Sequence, residues 1–285
     1  MEDMEKNIES PRLLKDYKSM YPTRQLLSNC AFGKQTEQIQ RVERFLKEVI
    51  ERNNFSMCLP VAAFEKVVAD DIIKNGVEVG KSTTLGGIEA RKEVITNIFG
   101  VDCSKYSPSD FPKYGFLSAP DNFGDRIDSL DLFYHYGEVK LNFKKANLMH
   151  RTTMTVGSSC DFDESLMKSP TFVDDPKYIC IKGMPNHQKA FKLGCFNGVG
   201  FFCHLIDDGH LSPNAPNHIA DAAEGYIGFE NFELQFHGPL RLSADVESIE
   251  YLAMADHTEA IMQKLKATKL DALGIPCNPL NINLI

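Results

Sequence analysis

The sequence predicts an α+β fold with a helical opening, a mostly antiparallel sheet in the middle and helices at the end. Two periodicities carry that prediction. Between Gln35 and Arg52 the apolar residues Ile39, Val42, Phe45, Leu46, Val49 and Ile50 recur at helical spacing on one stripe. In GEVKLNFK (137–144) and FENFELQFHG (229–238), apolar and polar residues alternate instead, as in a strand with two unlike faces. Helices grouped before and after a run of strands point to segregated layers rather than repeating βαβ units. The 285 residues, 43% hydrophobic and 25% charged, are enough to bury a core.

Taken in order, residues 1–34 are mixed, with turn signals at Pro11, Pro22 and Gly33. The helix over 35–52 comes next. A second helix is predicted from about Val61 to Lys74, stopped by Asn75-Gly76, and a third from Gly87 to Phe99. Val101 to Asp128 is rich in Pro, Gly, Asp and Ser and reads as loop, apart from an extended YGFLSA at 114–119. Strands are predicted at 137–144, at the Thr-rich RTTMTVG (151–157), at YICIKG (178–183) and at 229–238. Two helical patterns close the chain, about Asp245 to Met254 and Thr258 to Leu273. This divides it into a helical region over 1–74, an α+β core over 75–255 and a C-terminal helix and tail over 256–285.

Charge and cysteine usage narrow the function. Lys plus Arg number 31 against 39 Asp plus Glu, a net charge of -8, which opposes general affinity for nucleic acid or anionic lipid. No apolar run approaches the roughly 18 residues of a membrane span. The acidic start, MEDMEKNIESPRLL, is unlike a Sec signal peptide. Eight dispersed cysteines with no C-x-x-C pair read as reduced thiols. The expected location is cytoplasmic, or a host cytosol reached by a non-Sec route.

Three clusters could carry chemistry. On the strand at 229–238, period two puts Glu233, Gln235 and His237 on one side, facing water or a cleft, with Phe232, Leu234 and Phe236 on the core side. Gly238-Pro239 ends that strand sharply and sets His237 at a sheet rim. In the strand at 151–157, Arg151, Thr153 and Thr155 share one face and Thr152 and Met154 the other. Between 203 and 225, His204, Asp207, Asp208, His210, His218 and Asp221 include pairs at i,i+3/i+4 spacing, but none forms a zinc signature and Pro213 and Pro216 interrupt the segment. No G-x-S-x-G elbow, nucleophilic-cysteine setting or G-x-G-x-x-G is present.

Six short motifs in order resemble the bacterial domain-of-unknown-function family 3626. They are Asn75-Gly76, Gly86-Gly87 with Arg91 and Glu93 leading to Phe99-Gly100, Lys113-Tyr114-Gly115, RTTMTVGSS from Arg151, ELQFHG from Glu233, and Asp245-Val246-Glu247. Lys92 stands where the family pattern has Trp. In its strand roles the pattern is similar to toxin-type ADP-ribosyltransferases, which use an Arg, a Ser/Thr-rich strand and a Glu-containing strand in that order.

The resemblance implies an ADP-ribosyltransferase-like β core and an NAD-dependent mono-ADP-ribosyltransferase, as a bacterial effector acting on a host protein. NAD would be the substrate, with no metal. Glu233 would be the catalytic carboxylate, braced by Thr152 or Thr153. Arg91 or Arg151 would grip the pyrophosphate, Tyr114 would stack on the nicotinamide, and Gln235 and His237 would orient the acceptor. Two other readings stay open. One is a metal-dependent hydrolase built on the His204–Asp221 cluster; the other is a non-enzymatic interaction module.

Overall fold

The structure, a computed structural model, describes residues 11–31, 36–81, 87–119, 136–156, 170–176, 203, 206–207, 212–213, 232–253 and 256–280. Its element order is α1 (Arg12–Ala31), α2 (Thr36–Arg52), β1 (Asn54–Leu59), α3 (Val61–Asp70), α4 (Gly87–Phe99), β2 (Lys113–Ser118), β3 (Val139–Phe143), β4 (Thr152–Val156), β5 (Thr171–Phe172), β6 (Phe232–Phe236), β7 (Val246–Leu252), α5 (Asp256–Leu265) and β8 (Cys277–Leu280). The strands form one sheet in the order β5-β4-β6-β2-β1-β3-β7-β8. Every neighbouring pair is antiparallel except β7 and β8. The fold is therefore α+β with a mostly antiparallel sheet, as the periodicities predict.

The sheet is apolar on one side and polar on the other. Phe55, Leu141, Met154, Leu234 and Phe236 belong to a core closed by Val42, Leu46 and Val49 of α2, Phe64 of α3 and Met262 of α5. The stripe on α2 is thus its inward face. Across the polar side, register aligns Thr155 with Glu233, Glu233 with Phe116, Phe116 with Ser56, Ser56 with Asn142 and Asn142 with Ser248. Three of these close on each other: Ser56 Oγ lies 2.7 Å from Ser118 Oγ and donates to Asn142 Oδ1 at 2.8 Å, and Asn142 Nδ2 donates to Ser248 Oγ at 3.2 Å. A second apolar cluster, built on Leu14 and Tyr17 of α1 and Ile95, Ile98 and Phe99 of α4, includes Phe172 of β5.

Several local expectations are corrected. Within the pattern at 245–254, Val246–Leu252 is strand β7, not a helix. Its pairing with β3 shifts register between Asn142 and Phe143, so Val246 and Ile249, three residues apart, meet Phe143 and Leu141, two residues apart. That bulge imitates helical spacing. Helix α3 stops at Asp70, earlier than Asn75-Gly76, because Asp71 takes the left-handed conformation (φ 57°) and its N–H bonds Val67 O. Asp71 supports that turn by accepting from Ser243 N and Oγ, both at 2.8 Å. The opening segment read as mixed is α1, and β1 and β8 arise where no strand was predicted. The strand expected at 178–183 lies outside the described residues.

Gly115 shows how closely β1, β2 and β6 approach. A Cβ there would lie 2.2 Å from the Ser56 carbonyl oxygen and 2.6 Å from Phe236 Cε2. Gly115→Ala is expected to destabilise the fold by about 1–3 kcal/mol, since backbone and a packed ring must both yield. A lowered urea midpoint with unchanged slope checks this; an unchanged midpoint contradicts it.

Candidate active site

The polar face of β4 and β6 holds a continuous hydrogen-bonded cluster. In register, Thr153 lies opposite Gln235 and Gln235 opposite Tyr114, while Thr155 lies opposite Glu233. Adjacent strands are about 5 Å apart, so these side chains meet laterally. Gln235 is the centre of the group. Its Nε2 donates to Thr155 Oγ1 at 2.9 Å and to Glu233 Oε1 at 3.1 Å. Its Oε1 accepts from Thr153 Oγ1 at 3.0 Å, and the same hydroxyl lies 3.0 Å from His237 Nε2. His237 packs edge-on against Phe99 of α4, ring centroids 5.3 Å apart.

Of the two surroundings expected for this face, water or a cleft, open water is not what the structure shows. Gln235 and His237 are 0% exposed and Glu233 is 8% exposed. Amphipathic alternation reveals that a strand has two faces but not what lies over the polar one. Gln235 tolerates burial because both ends of its amide are hydrogen-bonded, to Thr153 at one end and to Thr155 and Glu233 at the other. Glu233 is the least enclosed of the three.

The two candidate arginines separate. Arg151 is buried, and its guanidinium donates to the carbonyl oxygens of His237 (3.0 Å), Pro239 and Asn147 (3.4 Å). It also pairs with buried Asp245 at 3.1 Å. These bonds commit its fork to the turn that ends β6. Arg91 of α4 stacks instead over the Tyr114 ring, 4.5 Å from its centroid, beside Gln235. Thr152 lies opposite Phe236 on the apolar side, and its hydroxyl donates to Leu148 O at 2.8 Å. Thr153 is the threonine in the cluster. Thr155, placed by parity on the same face as Thr153 but given no role from the sequence, faces Glu233 directly.

A buried lysine completes the turn. Lys113 Nζ donates to Gly238 O at 3.0 Å and lies 3.5 Å from Glu78 Oε2, and burial lowers its pKa. Burial, with Lys113 and Arg151 adding repulsion, pushes His237 down to about 3 from its ordinary 6.5. Between those pH values the unfolded chain takes up a proton at His237 that the folded chain refuses. His237's contribution to stability is therefore complete above about pH 6.5 and is lost as pH falls towards 3, at up to about 1.4 kcal/mol per pH unit. Urea midpoints at about pH 7.5 and about pH 5 should fall further for wild type than for His237→Phe; equal falls would contradict this assignment.

Of the His204–Asp221 cluster, only Asp207 is described, and it forms an exposed ion pair with Arg41; His204, Asp208, His210, His218 and Asp221 lie outside the described residues. Among the described residues no three His, Cys, Asp or Glu side chains gather as a metal site, and no helix is long and apolar enough to cross a membrane.

No family model and no curated protein matches the chain. The resemblance to the domain-of-unknown-function family 3626 thus rests on its motif order alone. Among solved structures, the chain is similar to DarT of Thermus sp. 2.9 in complex with carba-NAD+, at 8% identity and a TM-score of 0.38 over 81% of this chain and 96% of that one. So distant a likeness carries no argument about the site, whose chemistry must be drawn from its own residues.

Proposed function

We propose that the chain is an NAD-dependent mono-ADP-ribosyltransferase that modifies a protein side chain. The observation that carries this reading is the cluster on β4 and β6: one carboxylate, held by the amide of Gln235, which is itself bonded to Thr153 and Thr155, with Tyr114 opposite Gln235 and Arg91 stacked on Tyr114. The motif order and its resemblance to toxin-type enzymes supply the reaction class.

In that reaction the C1′–N bond of the nicotinamide riboside breaks, and both electrons leave with nicotinamide, whose ring nitrogen becomes neutral. The sugar passes through an oxocarbenium-like state. Glu233 holds a ribose hydroxyl and stabilises the positive charge at C1′. The nucleophile of the acceptor forms the new bond to C1′ and gives its proton to solvent. Gln235, itself bonded to Thr155, holds the carboxylate, Arg91 grips the pyrophosphate and Tyr114 stacks on the nicotinamide. The acidic balance of the chain favours a protein acceptor over nucleic acid. As a bacterial effector it would meet that acceptor in a host cell.

The test is a thermal-shift titration with NAD, followed by labelled NAD in a eukaryotic lysate. A rise in Tm and a labelled protein band are expected. No shift and no NAD consumption would overturn the reading.

A further inference from the structure

Resting on the transferase reading, we propose that His237 is a positioning residue: as the Nε2–H tautomer it fixes the direction of the hydrogen-bond chain that aims the Gln235 amide at the Glu233 carboxylate. The direction follows from counting protons along the chain. Gln235 Nε2 faces two acceptors of Glu233, the carboxylate Oε1 at 3.1 Å and the backbone carbonyl at 3.4 Å, so that end of the amide is the NH₂ group. The other end, Oε1, accepts a proton from Thr153 Oγ1, 3.0 Å away. Thr153 has one proton and it is spent there. Its hydroxyl can then only accept from His237, so Nε2, at 3.0 Å, carries the ring hydrogen. Nδ1 is buried with no hydrogen-bond partner among the described residues, as fits a bare lone pair on a ring whose single proton is already used.

The ring is well held for this task. Phe99 packs against it, and Arg151 and Lys113 tie the carbonyls of His237 and Gly238. His237 lies four residues along β6 from Glu233, about 13 Å at strand rise, so it touches no reacting atom. Without its donor, Thr153 can rotate and the Gln235 amide can turn over. Its oxygen would then face the carboxylate, and two acceptors would push apart the geometry that catalysis needs.

Two measurements test this, and they fail independently. Ring ¹⁵N shifts of labelled protein distinguish a protonated from a bare nitrogen and need no activity. Nε2–H with bare Nδ1 is expected near neutral pH; Nδ1–H or a cationic ring overturns the proposal. With NAD turnover as readout, His237→Gln retains a donor at the reach of Nε2 and should keep kcat within about 3-fold of wild type. His237→Leu should lower kcat about 10- to 100-fold with KM for NAD unchanged. Thr153→Val, which cuts the chain at its middle, should match the Leu variant and serves in its place if that variant does not fold. Equal losses in the Gln and Leu variants, or full activity in Thr153→Val, overturn the proposal. If wild type consumes no NAD, the transferase reading fails while the ring shifts still decide the chain's direction.

Discussion

Glu233→Gln is expected to lose about 100- to 1000-fold in ADP-ribosyl transfer while NAD affinity and fold persist. The substitution keeps volume and polarity but removes the negative charge. The ground state of NAD already carries a positive nicotinamide ring. What grows during bond cleavage is charge at C1′, and an amide does little for it. An interaction that strengthens only at the transition state appears in kcat rather than in binding. Gln235 can still donate to the new side-chain oxygen, so the strand should keep its register and Tm should move by only a few degrees. Single-turnover assays with labelled NAD, beside thermal-shift titration, separate the two quantities. Retention of more than about a tenth of the wild-type rate would remove Glu233 from the catalytic role.

Arg151→Met should be among the most destabilising single substitutions in the chain, costing about 3–5 kcal/mol. It leaves Asp245, 5% exposed, as a buried charge without its guanidinium partner, and strips a donor from the carbonyls of His237 and Pro239. Asp245 would retain the backbone N–H of Arg241 at 2.8 Å, which is weak compensation for the lost cation. Adding Asp245→Leu should recover part of the loss, because removing both members of a buried pair costs less than removing one. Arg91→Ala should behave oppositely, with stability within about 1 kcal/mol of wild type and a raised KM for NAD. Urea denaturation and NAD kinetics on the two variants decide it. An Arg151 variant with unaltered stability would return that residue to the ligand.

What could be read in advance was whatever local periodicity controls. Gly87 to Phe99 is a helix at those limits, and the alternation at 229–238 contains the strand Phe232–Phe236 that carries Glu233. Period two also separates Thr152 from Thr153, although deciding which of them meets Glu233's side of the sheet took the pairing of β4 with β6. Other features depend on partners far along the chain. The bulge in β7 answers to β3, and its spacing alone resembles a helix. Arg151 reads only as one member of a face shared with Thr153 and Thr155; that it is buried against the turn at Gly238 takes the fold to show. Asp71 in the left-handed region carries no glycine to announce it.

The order of strands has a consequence for synthesis of the chain. β6 sits between β4 and β2, yet Gln235 follows its partner Thr155 by 80 residues, and Gly238 follows Lys113 by 125. While the ribosome is still short of β6, β2 and β4 each lack the neighbour that fills their facing edges. Unpaired edges of this kind recruit foreign strands, so the nascent chain passes through an aggregation-exposed interval that ends only when β6 inserts. Closing such distant pairs is slow for entropic reasons. The strand that brings Glu233 is also the one that seals this part of the sheet, so a molecule that has not completed its fold has no assembled site.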